Sequence, residues 1–556
     1  MIYHDLRIGK PKGTKYYKRN GSVYVYHVLE SKYIPEKKYN VDKKVCIGKM
    51  IDEQYMNPND NYFKYYDHQV ETMAEPPLFS DSIKMGNNLV ISKVLKDNDL
   101  LELIDSIHGE DSKLIMDLIS YFIVCEDSVM QHYRDYAFEH GLFSNKIVDD
   151  TYISKMLNDR ISYADTQLFL QAWNKMQTKE EVVYISYDST NMNTVSEGIE
   201  MAEFGHAKDD DEKPQVNISY AINQENGRPL FQELYPGSLI DNGQCKFMVD
   251  KAKEYGYSNV GFLLDRGYCA SENIKYFDRN KFDFLMMMKT NQAFVKEAIQ
   301  EVMMKLKLNV AYFIESHNVY GTTVKKKLYA KDERERSYHI YYDEVRAAQQ
   351  RIDLMNYYRR VCADLDKKVD AKITKREDVG KYTKAFKLHY DDNGYLRSYE
   401  QKIDYIQKES EGLGYFVLVS SKEISAKEAL DIYRNRDSIE KVFRSLKSWL
   451  GFGTFRVHGQ TALEAKSHLI FLASIVRNEI SQRMKPLKEK DRKNYTVPSI
   501  IRELDKMTII KNTNGEYVRR YALTSKQKKI LAQFSITEKD FNEFVACYNK
   551  RLVTQL

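Results

Sequence analysis

Cysteine is scarce in this chain: Cys46, Cys125, Cys245, Cys269, Cys362 and Cys547 are scattered, and no C-x-x-C pair occurs. That spacing speaks against a zinc site or a disulfide framework and fits a reducing compartment. Long apolar runs are missing as well. The stretch Leu469–Val476 falls far short of the roughly 18 residues that a membrane span requires. The opening MIYHDLRIGKPKG is basic but has no apolar signal core, so a cytoplasmic protein with no membrane partner is expected. Charge of one sign is also in short supply. Lys+Arg 85 against Asp+Glu 80 gives +5, so any basic surface for a polyanion must be local. Tryptophan is limited to two residues, Trp173 and Trp449, and no internal repeat is visible.

Other residues are plentiful. Hydrophobic residues make up 43% and charged residues 30% of the 556, a globular composition long enough for two to four domains. Forty-three tyrosines supply amphipathic rings for polar interfaces. Residues 1–80 alternate Tyr/Val-rich strand patterns with Gly, Asn, Pro and Lys turns, and read as a β-rich module. Residues 81–180 carry amphipathic helical patterns that suit either a DNA-binding domain or a structural helical bundle. From 181 to 291 the pattern is three strands, a helix, then alternating strand and helix, the element order of an RNase H-like α/β core. Residues 292–412 read as an α+β insertion with a Lys-rich connection. The core resumes over 413–485, beginning with the strand Tyr415-FVLVSS and a helix over Ala426–Leu450, and 486–556 reads as a helical flanking region.

Two aspartates end buried strands: Asp188 after VVYISY and Asp265 after VGFLL. An acid there reaches the end of a sheet, although Asp also starts turns and caps helices. A third carboxylate, Glu440, lies on a helical segment with Tyr433, Arg436 and Lys447. The steps between these four are three, four and seven, so at roughly 100° per residue they share an arc of about 60°. Ile439, Val442, Phe443, Leu446 and Leu450 fill an adjoining apolar arc. Three carboxylates of this kind offer hard oxygen ligands for two Mg²⁺ ions, with Mn²⁺ as a substitute. Two such ions stabilise the attacking and leaving oxygens of an in-line phosphoryl displacement.

Tyr433-x2-Arg436-x3-Glu440-x6-Lys447 resembles the Y-R-E-K signature of bacterial insertion-sequence DDE transposases. The Asp188 of YDST, the Asp265-Arg-Gly-Tyr turn and the 175 positions between Asp265 and Glu440 fit the same family. The resemblance implies that Asp188, Asp265 and Glu440 form the metal-binding catalytic triad. It also implies that Tyr433, Arg436 and Lys447 contact phosphates of transposon-end DNA, with Arg266, Lys441 and Arg444 as adjacent backbone contacts. The partners it implies are double-stranded DNA, as terminal inverted repeats and target, and a second copy of the chain in a synaptic homodimer. A cytoplasmic, nucleoid-associated protein follows.

One departure is notable. Hairpin-forming relatives stack a Trp from the insertion against a flipped base, and neither Trp173 nor Trp449 lies in the insertion. Tyr320, Tyr341, Tyr342, Tyr357 or Tyr358 could serve in its place, since any aromatic face stacks. The hairpin step therefore stays open. Met286–Met288 reads as core strand, and His206 with Asp209–Asp211 as an exposed acidic loop. Lys325–Lys327 suits either DNA backbone or solvent. An RNase H-fold nuclease without strand transfer and a non-catalytic transposase-derived DNA-binding protein are the alternative functions.

Overall fold

The computed structural model describes residues 2, 7–19, 21–35, 38–66, 80–177, 183–205, 212–239, 241–258, 260–268, 270–328, 332, 334–373, 382–435, 443–444, 447, 450 and 454–553. The chain forms two compact units, Met1–Asp81 and Ser82–Leu556. The first is an antiparallel sheet of β1 (Ile8–Gly9), β2 (Lys15–Arg19), β3 (Ser22–Ile34), β4 (Tyr39–Met50) and β5 (Tyr55–Pro58), in the order β1-β5-β4-β3-β2. A short helix, Asp60–Tyr65, starts where the Asn59 side chain accepts the amides of Asn61 and Tyr62. It closes a small core of Val25, Ile47, Met56 and Tyr62.

The second unit opens with β6 (Ser82–Lys84) and six helices up to Tyr163–Gln177. A nine-stranded sheet follows. Its strands are β7 (Val183–Asn193), β8 (Gln215–Asn223), β9 (Pro229–Pro236), β10 (Val260–Leu264), β11 (Asp283–Met287), β12 (Phe313–Ile314), β13 (Val319–Lys327) and β14 (Glu335–Tyr342). After the hairpin of β15 (Phe386–Tyr390) and β16 (Leu396–Gln401), β17 (Tyr415–Ser420) completes it. The order is β12-β13-β14-β17-β11-β10-β7-β8-β9. Within it, β9-β8-β7-β10-β11 is the RNase H-like core: β7, β10 and β11 run parallel, and β8 and β9 meander antiparallel from β7. All five residues of β10 are buried, as a strand covered on both faces requires.

The region 292–412 divides in two. β12, β13 and β14 extend the core sheet through β17, whereas β15, β16 and the long helix Glu344–Asp370 build a separate cluster around Tyr358, Leu365, Tyr382 and Phe386. The C-terminal region is not wholly helical as its pattern suggests. A hairpin of β18 (Thr508–Lys511) and β19 (Tyr517–Arg519) turns through Gly515, whose φ of +82° favours glycine, and β18 pairs with the distant β6.

The helix Gln460–Arg483 is buried on nearly every side, lying between edge strand β9 and the helices Ser112–Cys125 and Asp150–Asp159. Burial pushes the Lys466 ammonium on this helix down to about 7, although its Nζ donates to the Ser128 and Phe455 carbonyls, each at 2.9 Å. Among the described residues, no helix is long and apolar enough to cross a membrane.

Candidate active site on two parallel strands

The site begins with register. β7 and β10 are parallel neighbours, with Val260 opposite Val183 and Leu263 opposite Ser186. Continuing that register two residues brings Asp265 to the level of Asp188. Adjacent strands lie about 4.8 Å apart, so the two carboxylates stand on neighbouring strands. Asp265 lies just past the end of β10 and Asp188 midway along β7, which runs on to Asn193 and does not end at the acid as its sequence suggests.

Local bonds orient both acids. Asp188 Oδ1 accepts the Ser189 amide at 2.8 Å, and Asp265 Oδ1 accepts the Arg266 amide at 2.7 Å. A one-turn 3₁₀ helix, Arg266–Tyr268, follows Asp265 at once. It turns Tyr268 inward, where the buried ring meets Tyr187 edge to face at 5.7 Å. Tyr187 precedes Asp188 and so points to the opposite side of the sheet. The two rings thus brace the two strands beside the aspartates. Sequence reasoning gave neither tyrosine a role, although Tyr268 closes the Asp265-Arg-Gly-Tyr turn and Tyr187 immediately precedes Asp188.

The other expected site residues are distributed unevenly. The helix expected over Ala426–Leu450 is shorter: it runs Ala426–Arg434, started by the Ser425 side chain and closed at Asn435, and Tyr433 in its last turn is only 7% exposed. Its ring packs with Leu430, Ala429 and Ala426 onto Leu263, Leu285, Tyr341, Phe416 and Leu418. Arg436, Glu440 and Lys441 lie outside the described residues, as do Trp449 and His206 with Asp209–Asp211. Arg444 is exposed and Lys447 half-buried. Phe443 meets the Tyr220 ring edge-on at 5.9 Å, and Tyr220 stands directly opposite Asp188 on β8. The described part of the signature segment therefore touches the strand row that holds Asp188.

Arg266 is exposed and has a neighbour that sequence reasoning missed. Burial, and next the like charge of Arg266, hold the Arg346 guanidinium below its ordinary value. Arg346 sits in the first turn of Glu344–Asp370, over the Phe416 ring at 5.3 Å. The two like charges are thus near enough to repel, and Arg266 follows Asp265 directly in the chain.

Of the five tyrosines named as stacking substitutes, Tyr341, Tyr342 and Tyr358 are buried, Tyr320 is half-buried and Tyr357 is 51% exposed. Trp173 is a core residue whose Nε1 donates to the Pro229 carbonyl. Met286 and Met288 are buried core, while Lys325 and Lys326 pair with Glu423 and Glu301.

Two carboxylates fixed side by side supply hard oxygen donors, and that chemistry fits Mg²⁺ or Mn²⁺. Among the described residues no cluster of three metal-ligating side chains forms, and the third expected ligand, Glu440, lies outside them.

The sequence matches the family model described as the transposase DDE domain over residues 183–476, more than half of the chain. The chain belongs to the DDE transposase family. The matched transposase domain opens on the first residue of β7 and ends inside the helix Gln460–Arg483, so it encloses both aspartates and the signature segment. No curated protein matches the sequence. Among solved structures, the transposase is similar to a piggyBac transposase synaptic complex with hairpin DNA, at 9% identity and a TM-score of 0.32. That match covers 83% of this chain and 74% of the other.

Proposed function

We propose that the protein is the transposase of a bacterial insertion sequence, cutting the element's ends and joining their 3′ hydroxyls to target DNA. The observation that carries this reading is the register of β7 and β10, which brings Asp188 and Asp265 to one level. Glu440 completes the triad. It precedes Phe443 by three residues, so at most about 11 Å of chain separates it from a ring packed on the row of Asp188.

The three carboxylates would hold Mg²⁺, or Mn²⁺ in its place, as hard oxygen ligands. Two divalent ions bound there would supply Lewis-acid stabilisation to the phosphoryl transfer. The protein's own part is positioning. Asp188 and Asp265 are fixed by backbone amides and braced by the Tyr187–Tyr268 pair, while Arg436, Lys447, Arg266, Lys441 and Arg444 hold the phosphate backbone. Cleavage hydrolyses a phosphodiester at the element's end and leaves a 3′ hydroxyl. That hydroxyl then displaces a 3′ oxygen of the target strand, so one phosphodiester breaks for each that forms. Two ends must be held at once, which calls for a homodimer on paired terminal inverted repeats. The protein works in the bacterial cytoplasm, associated with the nucleoid.

The deciding experiment incubates the protein with the element's end DNA, a target plasmid and Mg²⁺, and resolves nicked, hairpin and joined products. Joined 3′ ends are expected. Hydrolysis with no joining would replace the transposase by a nuclease of the same fold. For the phosphate contacts, Arg436→Ala or Lys447→Ala should each flatten the slope of log affinity against log salt by about 0.9. Slopes equal to wild type would show that these cations do not face DNA.

A further inference from the structure

In the N-terminal unit, one face of the sheet already has an occupant. Val25 and Ile47 pack beneath the helix Asp60–Tyr65, and His27 stacks on Tyr65 at 5.4 Å and bonds the Tyr66 hydroxyl. The opposite face follows from register. Tyr17, Tyr24 and Lys49 stand side by side across β2, β3 and β4, and Lys15 stands opposite Tyr26. Tyr17 meets Tyr26 edge to face at 5.3 Å, and the Lys44 ammonium lies 3.3 Å from the Tyr17 ring centroid and 5.6 Å from that of Tyr26. Tyr17 is 41% exposed.

The charge of this segment is one-sided, unlike that of the whole chain. Between Arg7 and Lys49 the sequence holds twelve Lys or Arg and three Asp or Glu, and one of those acids, Asp42, is bound to Lys15 and Ser31. A purely structural sheet face has no need of exposed rings alternating with cations. A protein partner would require acidic complementarity but would leave the ring faces without a planar mate.

We propose that this open face binds unpaired single-stranded DNA, with bases stacking on Tyr17 and Tyr26 and with Lys44, Lys49 and Arg19 following the phosphates. The face is a platform for exposed bases, because the ring faces of a duplex are already stacked on one another. Binding exchanges one contact for two. Lys44 leaves the Tyr17 ring for a phosphate and uncovers the ring for a base, and base stacking on a ring is stronger than an exposed cation over it. The inference rests on the DNA-processing function proposed above. Unpaired strands arise when ends are cut, so this surface would hold a strand the reaction releases or opens.

The test uses the full chain and a fluorescent oligothymidylate, with binding followed by anisotropy across a salt series. Tyr17→Ala should weaken binding about tenfold, Tyr17→Phe should restore it, and Lys44→Gln should flatten the salt slope by about 0.7. Equal affinity of wild type and Tyr17→Ala would overturn the proposal, as would tighter binding of an oligouridylate or an equal loss, on Tyr17→Ala, of affinity for a duplex of the same length. Circular dichroism of each variant confirms the fold. Cleavage of end DNA is scored on the same preparations. A protein that never cuts but shows the Tyr17 effect would refute the transposase function and keep the single-strand surface. A protein that cuts without the Tyr17 effect would do the reverse.

Discussion

Asp188→Asn and Asp265→Asn should each bind end DNA with near wild-type affinity and leave it uncut, with strand cleavage lowered by about a thousandfold or more. The fold gives no reason for collapse in either variant. Each aspartate uses Oδ1 to accept the next residue's amide, and an asparagine Oδ1 accepts the same bond. The Tyr187–Tyr268 brace lies on the other side of the sheet and is untouched. What changes is one negative charge in the site proposed to hold the divalent cations. Binding relies on phosphate contacts spread over many residues, so it survives while the chemistry stops. Gel assays of nicking and anisotropy of end binding, run in parallel with thermal melting, check the separation. Nicking at even a tenth of the wild-type rate in either variant would remove that aspartate from the reaction. Glu440→Gln should behave in the same way.

That Asp188 and Asp265 stand on neighbouring strands was legible because buried strands announce themselves. VVYISY and VGFLL are apolar runs followed by an acid, and their side-by-side placement follows from the element order of the core. β10 does end before Asp265, but β7 carries on past Asp188 to Asn193 because the polar run after it pairs with β8. The signature helix was read less completely. Its polar arc was drawn from Tyr433 onward, yet Ala426, Ala429, Leu430 and Tyr433 are spaced by three, one and three, an apolar stripe that turns the Tyr433 ring onto the sheet. Starting the count seven residues earlier would have shown it. Other features had no local signal at all. β6 and β18 are three and four residues long, too short for alternation to show, and they pair across more than 420 positions. The approach of Arg346 to Arg266 likewise depends on how the long helix Glu344–Asp370 meets the sheet, which no spacing rule encodes.

Lys466→Met should cost roughly 3 kcal/mol of stability and should remove a rise of stability with pH that the wild type shows. The lysine is fully buried in the helix Gln460–Arg483, and its Nζ joins three parts of the second unit. One bond reaches Ser128 among the N-terminal helices, and the other reaches Phe455, just beyond the signature segment. Losing the donor leaves two carbonyls of the interior unsatisfied, about 1–3 kcal/mol each, and methionine fills the volume while making neither bond. The pH term has the opposite character. Burial, with repulsion from Arg456, lowers the ammonium to about 7, and Asp127 opposes that shift without reversing it. In the unfolded chain the group titrates near 10.5, so between about 7 and 10.5 the unfolded state holds the extra proton. Stability therefore climbs as pH rises through that window and is lowest below 7, where the folded protein must bury the charge. Both proteins share the same tyrosines, so subtracting the melting curves of the variant from those of wild type cancels their titration. The wild-type advantage should widen from pH 7 to pH 9.5. A constant difference would mean that Lys466 keeps its proton throughout and acts through its two hydrogen bonds alone.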